Sequence, residues 1–389
     1  MKIYLDNSAT TKIRPEALKK YTEISENVYG NPSSLHEMGF LAEKELECAR
    51  NIIRTTVADA RAEVVFTSSG TEANNLAIIG RALSKERYKN TKRKIITTLG
   101  EHSSVSAPIS YLEALGFKCV AIGTAGGRLD IDALMRELTD DVILVSVMMV
   151  NNETGALYDV REVARLTHMR CPEAAVHVDA TQSYMKVAFT KKSIGADMIT
   201  VSSHKIEGPK GVGALIIDEK LIKSKGVKAL MLGGGQEGDL RSGTENVPGI
   251  AAFAEAARLA HAELDASIEH VSSLREYLIE KISQDEHLSG ISITNPASHA
   301  PHILNITLPS IKSETMLHYL SSLGIYVSSG SACSSNSSHT SSALTAYGRT
   351  EREADSSIRI SLSKRNTREE LDALIEGLAS GIARLAKIR

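Results

Sequence analysis

Residues 174–182 read AAVHVDATQ and residues 196–205 read ADMITVSSHK. Each is a short β-rich apolar run that stops at polar residues, with Asp179 closing the first and Lys205 just past the second. Working outward, the same form recurs in AEVVFTSS (62–69), KIITTLGEH (94–102), KCVAIGT (118–124) and DVILVSVMMVNNETG (141–155). Helical spacing follows the first of these, in TEANNLAIIGRAL. The alternation predicts an α/β fold whose mostly parallel central sheet is sandwiched by helices. Ligands in such sheets bind beyond the carboxyl ends of the strands. The polar residues that end each run should therefore meet along one edge.

The rest of the chain predicts a second, smaller α+β domain. Residues from about 250 to 285 read as one long helix bridging into it, and HILNITLP (302–309) and SIRISL (357–362) as two of its strands. A capping box at Thr367-Arg-Glu-Glu starts the last helix, and Leu371, Leu374, Ile375, Leu378, Ile382 and Leu385 give it one packing face. The length of 389 residues suits a large domain plus a smaller one. A net charge of −2 offers no basic field for nucleic acid or an anionic membrane. The opening MKIYLDNSATT has no apolar signal core, and no run approaches a membrane span, so a cytoplasmic protein is expected. Cys48, Cys119, Cys171 and Cys333 form no CxxC pair and the histidines no HExxH, which argues for a reducing compartment and no metal.

Five motifs carry chemistry. TSSGTEANN (67–75) leaves a strand and enters a helix, where backbone N–H groups and Thr71 would suit an anion; many such turns carry Ser and Gly only as caps. Asp179 either caps the next helix or pairs with a protonated pyridine nitrogen. Lys205 is either a surface lysine before a Gly-Pro turn or a desolvated amine able to form a Schiff base, with Ser202, Ser203 and His204 as phosphate donors. His102 ends another strand, where a histidine can stack on an aromatic ring and handle a proton, or be merely structural. Asn152 and Gln182 are neutral hydrogen-bonding groups suited to a ring oxygen or a substrate. A phosphate cradle, an acid and a lysine on neighbouring strand ends together meet the requirements of pyridoxal 5′-phosphate. Finally, SSGSACSS (328–335) surrounds Cys333 with small polar residues, an improbable setting for a buried thiol, whereas Cys48, Cys119 and Cys171 read as packing.

With these motifs in view the chain resembles the cysteine desulfurases, in the class V aminotransferase-like branch of fold-type I pyridoxal phosphate enzymes. The likeness runs nearly end to end through YLDNSATT (4–11), GNPSSLH (30–36), SSGTEANN (68–75), EHSSV (101–105), NNETG (151–155), HVDATQ (177–182), SSHKIEGPKGVG (202–213), GGGQEGDLRSGTEN (233–246), SSGSACSS and SIRISL. The form of SSGSACSS is similar to the iron–sulfur and nitrogen-fixation type (group I), whose cysteine rides a longer mobile loop. The resemblance implies Lys205 as the Schiff-base lysine, Gly70, Thr71, Ser202, Ser203 and His204 around the phosphate, Asp179 on the pyridine nitrogen and Gln182 on the ring hydroxyl. It implies His102 stacked on the ring, Asn152 on cofactor or substrate, and Arg359 as the bidentate clamp on the substrate carboxylate. Thr244 is similar to a threonine that reaches the phosphate of a neighbouring subunit, which implies a homodimer with shared sites. The implied reaction takes L-cysteine to L-alanine, with sulfur passing to Cys333 as a persulfide. The persulfide would be delivered to an acceptor protein such as an iron–sulfur scaffold, or used for tRNA or cofactor thiolation. The implied division is a cofactor-binding domain at 12–260, and a smaller C-terminal domain from 1–11 and 261–389 that carries the Cys333 loop.

Three features depart from the family pattern. Glu207 stands where an aromatic or His is commoner, either shifting local pKa values or facing solvent. Tyr184-Met185 replaces a small residue and Gly, and Ser363-Lys364-Arg365 replaces the Gly after the arginine strand. The chain also ends at Arg389, without the tail by which housekeeping members grip a scaffold, so sulfur donation with less tail contact is expected. Two other readings compete: another reaction on the same cofactor, such as transamination or selenocysteine cleavage, which would not need Cys333, and a non-catalytic scaffold, which would not need Lys205, Asp179, His102 and Arg359 together.

Overall fold

The computed structural model describes residues 2–85, 93–329 and 341–385. Its first strand, β1 (Ile3–Tyr4), lies apart from the central sheet. That sheet is built from β2 (Glu63–Thr67), β3 (Lys94–Thr98), β4 (Lys118–Ile122), β5 (Val142–Met148), β6 (Ala175–Asp179), β7 (Met198–Ser202) and β8 (Gly213–Ile217). Their order is β2-β8-β7-β6-β5-β3-β4, and β8 alone runs against its neighbours. Every residue of β5, β6 and β7 is buried, as expected of strands covered on both faces. Val64, Phe66, Val145, Val147 and Val178 pack on one side against helices Glu37–Thr56, Val160–Arg170 and Val247–Ala262. Val65, Ile143 and Leu215 pack on the other against helices Gly70–Lys85 and Ser103–Ala114. The chain turns outward from β3 to β4, then returns past β3 to β5. That reversal opens a crevice at the carboxyl ends of β3 and β5.

A second core gathers around β9 (Ser292–Thr294), β10 (Ile303–Thr307), β11 (Ile325–Tyr326), β12 (Ser328–Ser329) and β13 (Ser357–Ser361). Four of these form an antiparallel sheet in the order β12-β13-β10-β9, while β11 pairs in parallel with β1. Helices Leu264–Gln284, Ser313–Ser322 and Arg368–Leu385 cover it with Leu274, Leu278, Met316, Leu320, Leu371, Leu374 and Leu378. Ile3 and Leu5 pack in this core although they open the chain. We propose 12–260, and 1–11 with 261–389, as the division between the two cores.

The expected capping box is present: Thr367 N–H donates to Glu370 Oε2 at 3.3 Å, and Glu370 N–H to Thr367 Oγ1 at 3.4 Å. The single long helix over 250–285 is not. One helix ends at Ala262, Glu263 (φ −102°, ψ 4°) interrupts it, and a second begins at Leu264. Glu263 is turned aside by cations, pairing with Arg14 at 3.1 Å and with Lys364. The two helices can thus each serve a different core. No described helix is long and apolar enough to cross a membrane.

Candidate active site

Five strand ends of the central sheet deliver polar residues to one cavity of about 350 Å³. From β2 come Ser69, Gly70 and Thr71; from β3, His102 and Ser104; from β5, Asn152; from β6, Asp179, Thr181 and Gln182; from β7, Ser202, His204 and Lys205. The second core closes the cavity with Arg359 of β13 and Ser328 of β12, and the opening stretch adds Asp6, Ser8 and Ala9.

The end beside Gly70 is crowded. A Cβ on Gly70 would stand 3.2 Å from Thr181 Oγ1 and 3.4 Å from the Ser202 Cβ. The glycine therefore keeps open a space at the N-terminus of helix Gly70–Lys85, where backbone N–H groups favour an anion. Ser202 Oγ is buried there without a partner. His204 Nδ1 lies 3.1 Å from Thr10 Oγ1, and burial, with Lys205, Lys210 and Lys186 around it, pushes the ring down to about 4.

At the floor, Asp179 is 6% exposed. Its Oδ1 accepts from Thr181 N–H at 2.9 Å and its Oδ2 from Asn74 Nδ2 at 2.8 Å. Both of its oxygens thus accept from neutral donors that fix the carboxylate in place. Gln182 Nε2 donates to the Ser8 carbonyl at 2.9 Å, leaving Oε1 buried and unpartnered. Lys205 Nζ, at the end of the turn Ser203–Lys205, donates to the carbonyls of Ser8 and Ala9, the latter at 2.9 Å.

Arg359 enters from the opposite wall. Its Nη2 pairs with Asp6 Oδ1 at 2.9 Å and its Nη1 donates to the Asn152 carbonyl at 2.9 Å, while Nε is buried without a partner. Nearby, Glu153 accepts from Ser341 Oγ. Burial pushes its carboxyl up to about 7, opposed by Ser341 and Arg359.

The residues read from the sequence divide as follows. Gly70, Thr71, His102, Asn152, Asp179, Gln182, Ser202, His204, Lys205 and Arg359 all line the cavity. Ser203 does not: it is fully buried beneath the turn, with a Cβ on Gly208 only 2.2 Å from its Oγ. Thr244 is exposed and outside the cavity of its own chain. Cys333 lies outside the described residues. Asp6, Ser8, Asn74 and Ser104 were missed as site residues. Asp6, Ser8 and Asn74 stand inside quoted motifs, YLDNSATT and SSGTEANN, where nothing local marks them because their partners lie far along the chain; Ser104 stands inside EHSSV, two residues from its partner His102.

Pyridoxal phosphate fits this cavity. Unpartnered Ser202 Oγ and the helix N-terminus suit its phosphate, the Asp179 carboxylate suits a protonated ring nitrogen, and unpartnered Gln182 Oε1 suits a ring hydroxyl. The model of the aminotransferase class-V family matches residues 3–374. A relative named NifS/IcsS protein homolog, from Lactobacillus delbrueckii subsp. bulgaricus, is 40% identical over 96% of this chain and 95% of its own length. This chain belongs to the class-V aminotransferase family. Within the family it is also similar to cysteine desulfurase IscS 1 of Archaeoglobus fulgidus, at 35% identity over 98% of this chain and 97% of that protein. A solved NifS-like protein superposes with a TM-score of 0.90 at 35% identity, covering 98% of this chain and all (100%) of the other. Another, from Rickettsia africae, superposes with a TM-score of 0.86 at 32% identity over 98% and 100% of the two chains. As a class-V member of this branch, the protein is a pyridoxal phosphate enzyme with the fold-type I architecture.

The three positions that the sequence reading set apart meet in one place. Met185, Glu207, Ser363 and Lys364 line a second cavity of about 70 Å³, on which Lys205 also borders. Glu207 does not face solvent. Its carboxylate accepts from Arg365 Nε and lies 3.5 Å from Lys364, which also pairs with Glu263. Tyr184 is fully buried, its hydroxyl 2.6 Å from Thr56 Oγ1. The same small cavity is bordered by Lys186, whose unpartnered Nζ burial pushes down to about 7, with Lys205 and Arg359 adding to the effect.

Proposed function

We infer that this enzyme is a cysteine desulfurase that converts L-cysteine to L-alanine. The observation that carries the reading is the meeting of Lys205, Asp179 and Arg359 in one cavity of a chain whose relatives bear that name. When bound, pyridoxal phosphate supplies a sink for the electron pair left on the substrate's α-carbon. Gly70, Thr71, Ser202 and His204 would hold its phosphate. Asp179, already oriented by Asn74 and Thr181, would keep a proton on the ring nitrogen. Gln182 would take the ring hydroxyl and His102 would cover the ring. Arg359 would clamp the substrate carboxylate through its free Nε–H and the planar fork, with Asn152 beside it. Lys205 would hold the cofactor through its aldehyde, and its Nζ would serve to move protons.

The sulfur step is assigned to Cys333 through the family resemblance. Its thiolate takes the substrate sulfur, so that an S–S bond forms as the C–S bond breaks. The substrate's β-carbon keeps the electron pair and gains a proton, balancing the one lost from the substrate thiol. A protein acceptor such as an iron–sulfur scaffold would then take the persulfide. A homodimer is proposed as well. Thr244 is exposed and remote from its own cavity, and the exposed apolar Phe40 and Leu232 suit a second copy.

The test gives the holoenzyme L-cysteine and a reductant and measures alanine and sulfide, with Cys333→Ala alongside. Both products from the parent, and roughly 10²-fold less from the variant, are expected. A variant as active as the parent would remove Cys333 as acceptor. A yellow protein that makes no alanine would remove the desulfurase reading.

A further inference from the structure

His102 caps helix Ser103–Ala114, and the way it does so constrains its protons. Its Nδ1 accepts from the Ser104 backbone N–H at 3.1 Å, and a backbone N–H can only donate. The Ser104 hydroxyl also lies 2.8 Å from the same Nδ1. The position of that hydroxyl is fixed further back. Asn74 Nδ2 carries two hydrogens, one aimed at Asp179 Oδ2 and the other at Ser104 Oγ, both at 2.8 Å. Ser104 Oγ accepts from Asn74 and keeps its own hydrogen, which it can give to the Nδ1 that already accepts from the Ser104 backbone N–H. Flipping the Asn74 amide would set its carbonyl oxygen against the Asp179 carboxylate. The amide keeps its orientation even though Oδ1 is left buried without a partner.

We propose that His102 works as a neutral imidazole that presents its Nε2–H to the cavity, with Asn74 and Ser104 as the positioning residues that hold it in that tautomer. Adding a proton at Nδ1 would set it against the Ser104 backbone N–H, donor facing donor, and place a cation at the positive end of a helix. The groups facing the ring agree on balance. Burial is the main cause that lowers its pKa, Lys205 and Arg359 lower it further, and Asp179 alone favours the cation. Burial pushes the neighbouring Glu101 up to about 8, which disfavours an anion beside the ring. A neutral imidazole kept so at a helix N-terminus serves to polarise an oxygen by donation. His102 would thus orient and polarise a bound atom, while proton transfer falls to Lys205. The identity of that atom rests on the desulfurase reading; the tautomer does not.

Neutron diffraction from holoenzyme crystals in heavy water at pH 7 should find deuterium on Nε2 of His102 and none on Nδ1. In solution, ring-¹⁵N histidine spectra, assigned by the signal lost in His102→Gln, should show an Nε2–H ring that does not titrate from pH 6 to 9. Deuterium on Nδ1, or an imidazolium growing in across that range, overturns the proposal. Kinetics give a separate reading, because Gln can donate but cannot carry a proton. His102→Gln should lose about 10-fold in kcat/KM, against roughly 10²–10³-fold for His102→Ala. A Gln variant as poor as Ala would return the proton to His102. Ser104→Ala should raise the pH at which the ring takes a second proton and Ser104→Thr should restore it; no shift would remove Ser104 from its role. The visible band of the bound cofactor, read in the same samples, tests the functional reading separately: its absence would sink that reading and leave the tautomer result standing.

Discussion

Two polar regions flank Lys205, and they treat their hydrogen-bonding groups in opposite ways. On the cavity side, Ser8 Oγ, Gln182 Oε1, Ser202 Oγ and Arg359 Nε are buried with nothing to bond. On the far side, Glu207, Lys364, Arg365, Glu263 and Arg14 form a closed run of ion pairs. Leaving a buried polar group unpaired costs on the order of 1–3 kcal/mol, so the first region is unstable as a mere core. It makes sense as a set of contacts held for a ligand. The second region holds nothing in reserve. Its charges answer one another, as packing does.

If that contrast is right, a change on the cavity side should damage catalysis and spare the fold. Arg359→Lys is the sharpest case. It keeps the charge but loses the planar fork, and KM for L-cysteine should rise roughly 30–300-fold while the thermal midpoint hardly moves. Steady-state kinetics beside a melting curve decide it, and an unchanged KM would break the comparison.

Glu101 lies between the extremes. Its Oε1 accepts from Thr98 Oγ1 at 2.6 Å and from Met148 N–H at 2.8 Å, tying β3 to β5, while Oε2 has no partner. Its folded pKa of about 8 stands above the ordinary 4.5, so the folded state binds the extra proton between those values. Stability should therefore fall as pH rises through that window. Glu101→Gln keeps the acceptor without the titration. It should flatten the profile and gain roughly 1–3 kcal/mol at pH 8, measured by denaturant melts at pH 5 and pH 8.

The smallest effect belongs to the ion pairs. Arg365 is half exposed, so Glu207→Gln should cost less than about 1 kcal/mol and leave kcat/KM within about twofold. Reversing the pair, as Glu207→Arg with Arg365→Glu, should recover part of the loss. A large fall in activity from Glu207→Gln would place that carboxylate in the chemistry after all.

How much of this could be read from the chain alone follows from distance along it. The strands at 63–67, 94–98, 118–122, 142–148, 175–179 and 198–202 were visible because each is a local run with its own stop. The residues at those stops found one another because strand ends in a parallel sheet share an edge. The antiparallel strand Gly213–Ile217 was not picked out, since nothing local tells its direction. The break at Glu263 was missed because helical spacing continues across it, and the cations that turn Glu263 aside lie 249 and 101 residues away. Glu207 and Arg365, 158 residues apart, each looked anomalous until they were seen to touch. The tautomer of His102 depends on Asn74 and a backbone N–H, and no residue pattern announces it.

The opening stretch has one more consequence, in time rather than space. Asp6 pairs with Arg359 across 353 residues, the Asn7 amide reaches Ser361, and β1 lies against β11. These residues are synthesised long before their partners. At roughly 5–20 residues per second, a ribosome would take about 20–70 s to close that interval. The strands of the central sheet emerge within that interval, but the wall of the cavity that carries Arg359 must wait until the interval has passed.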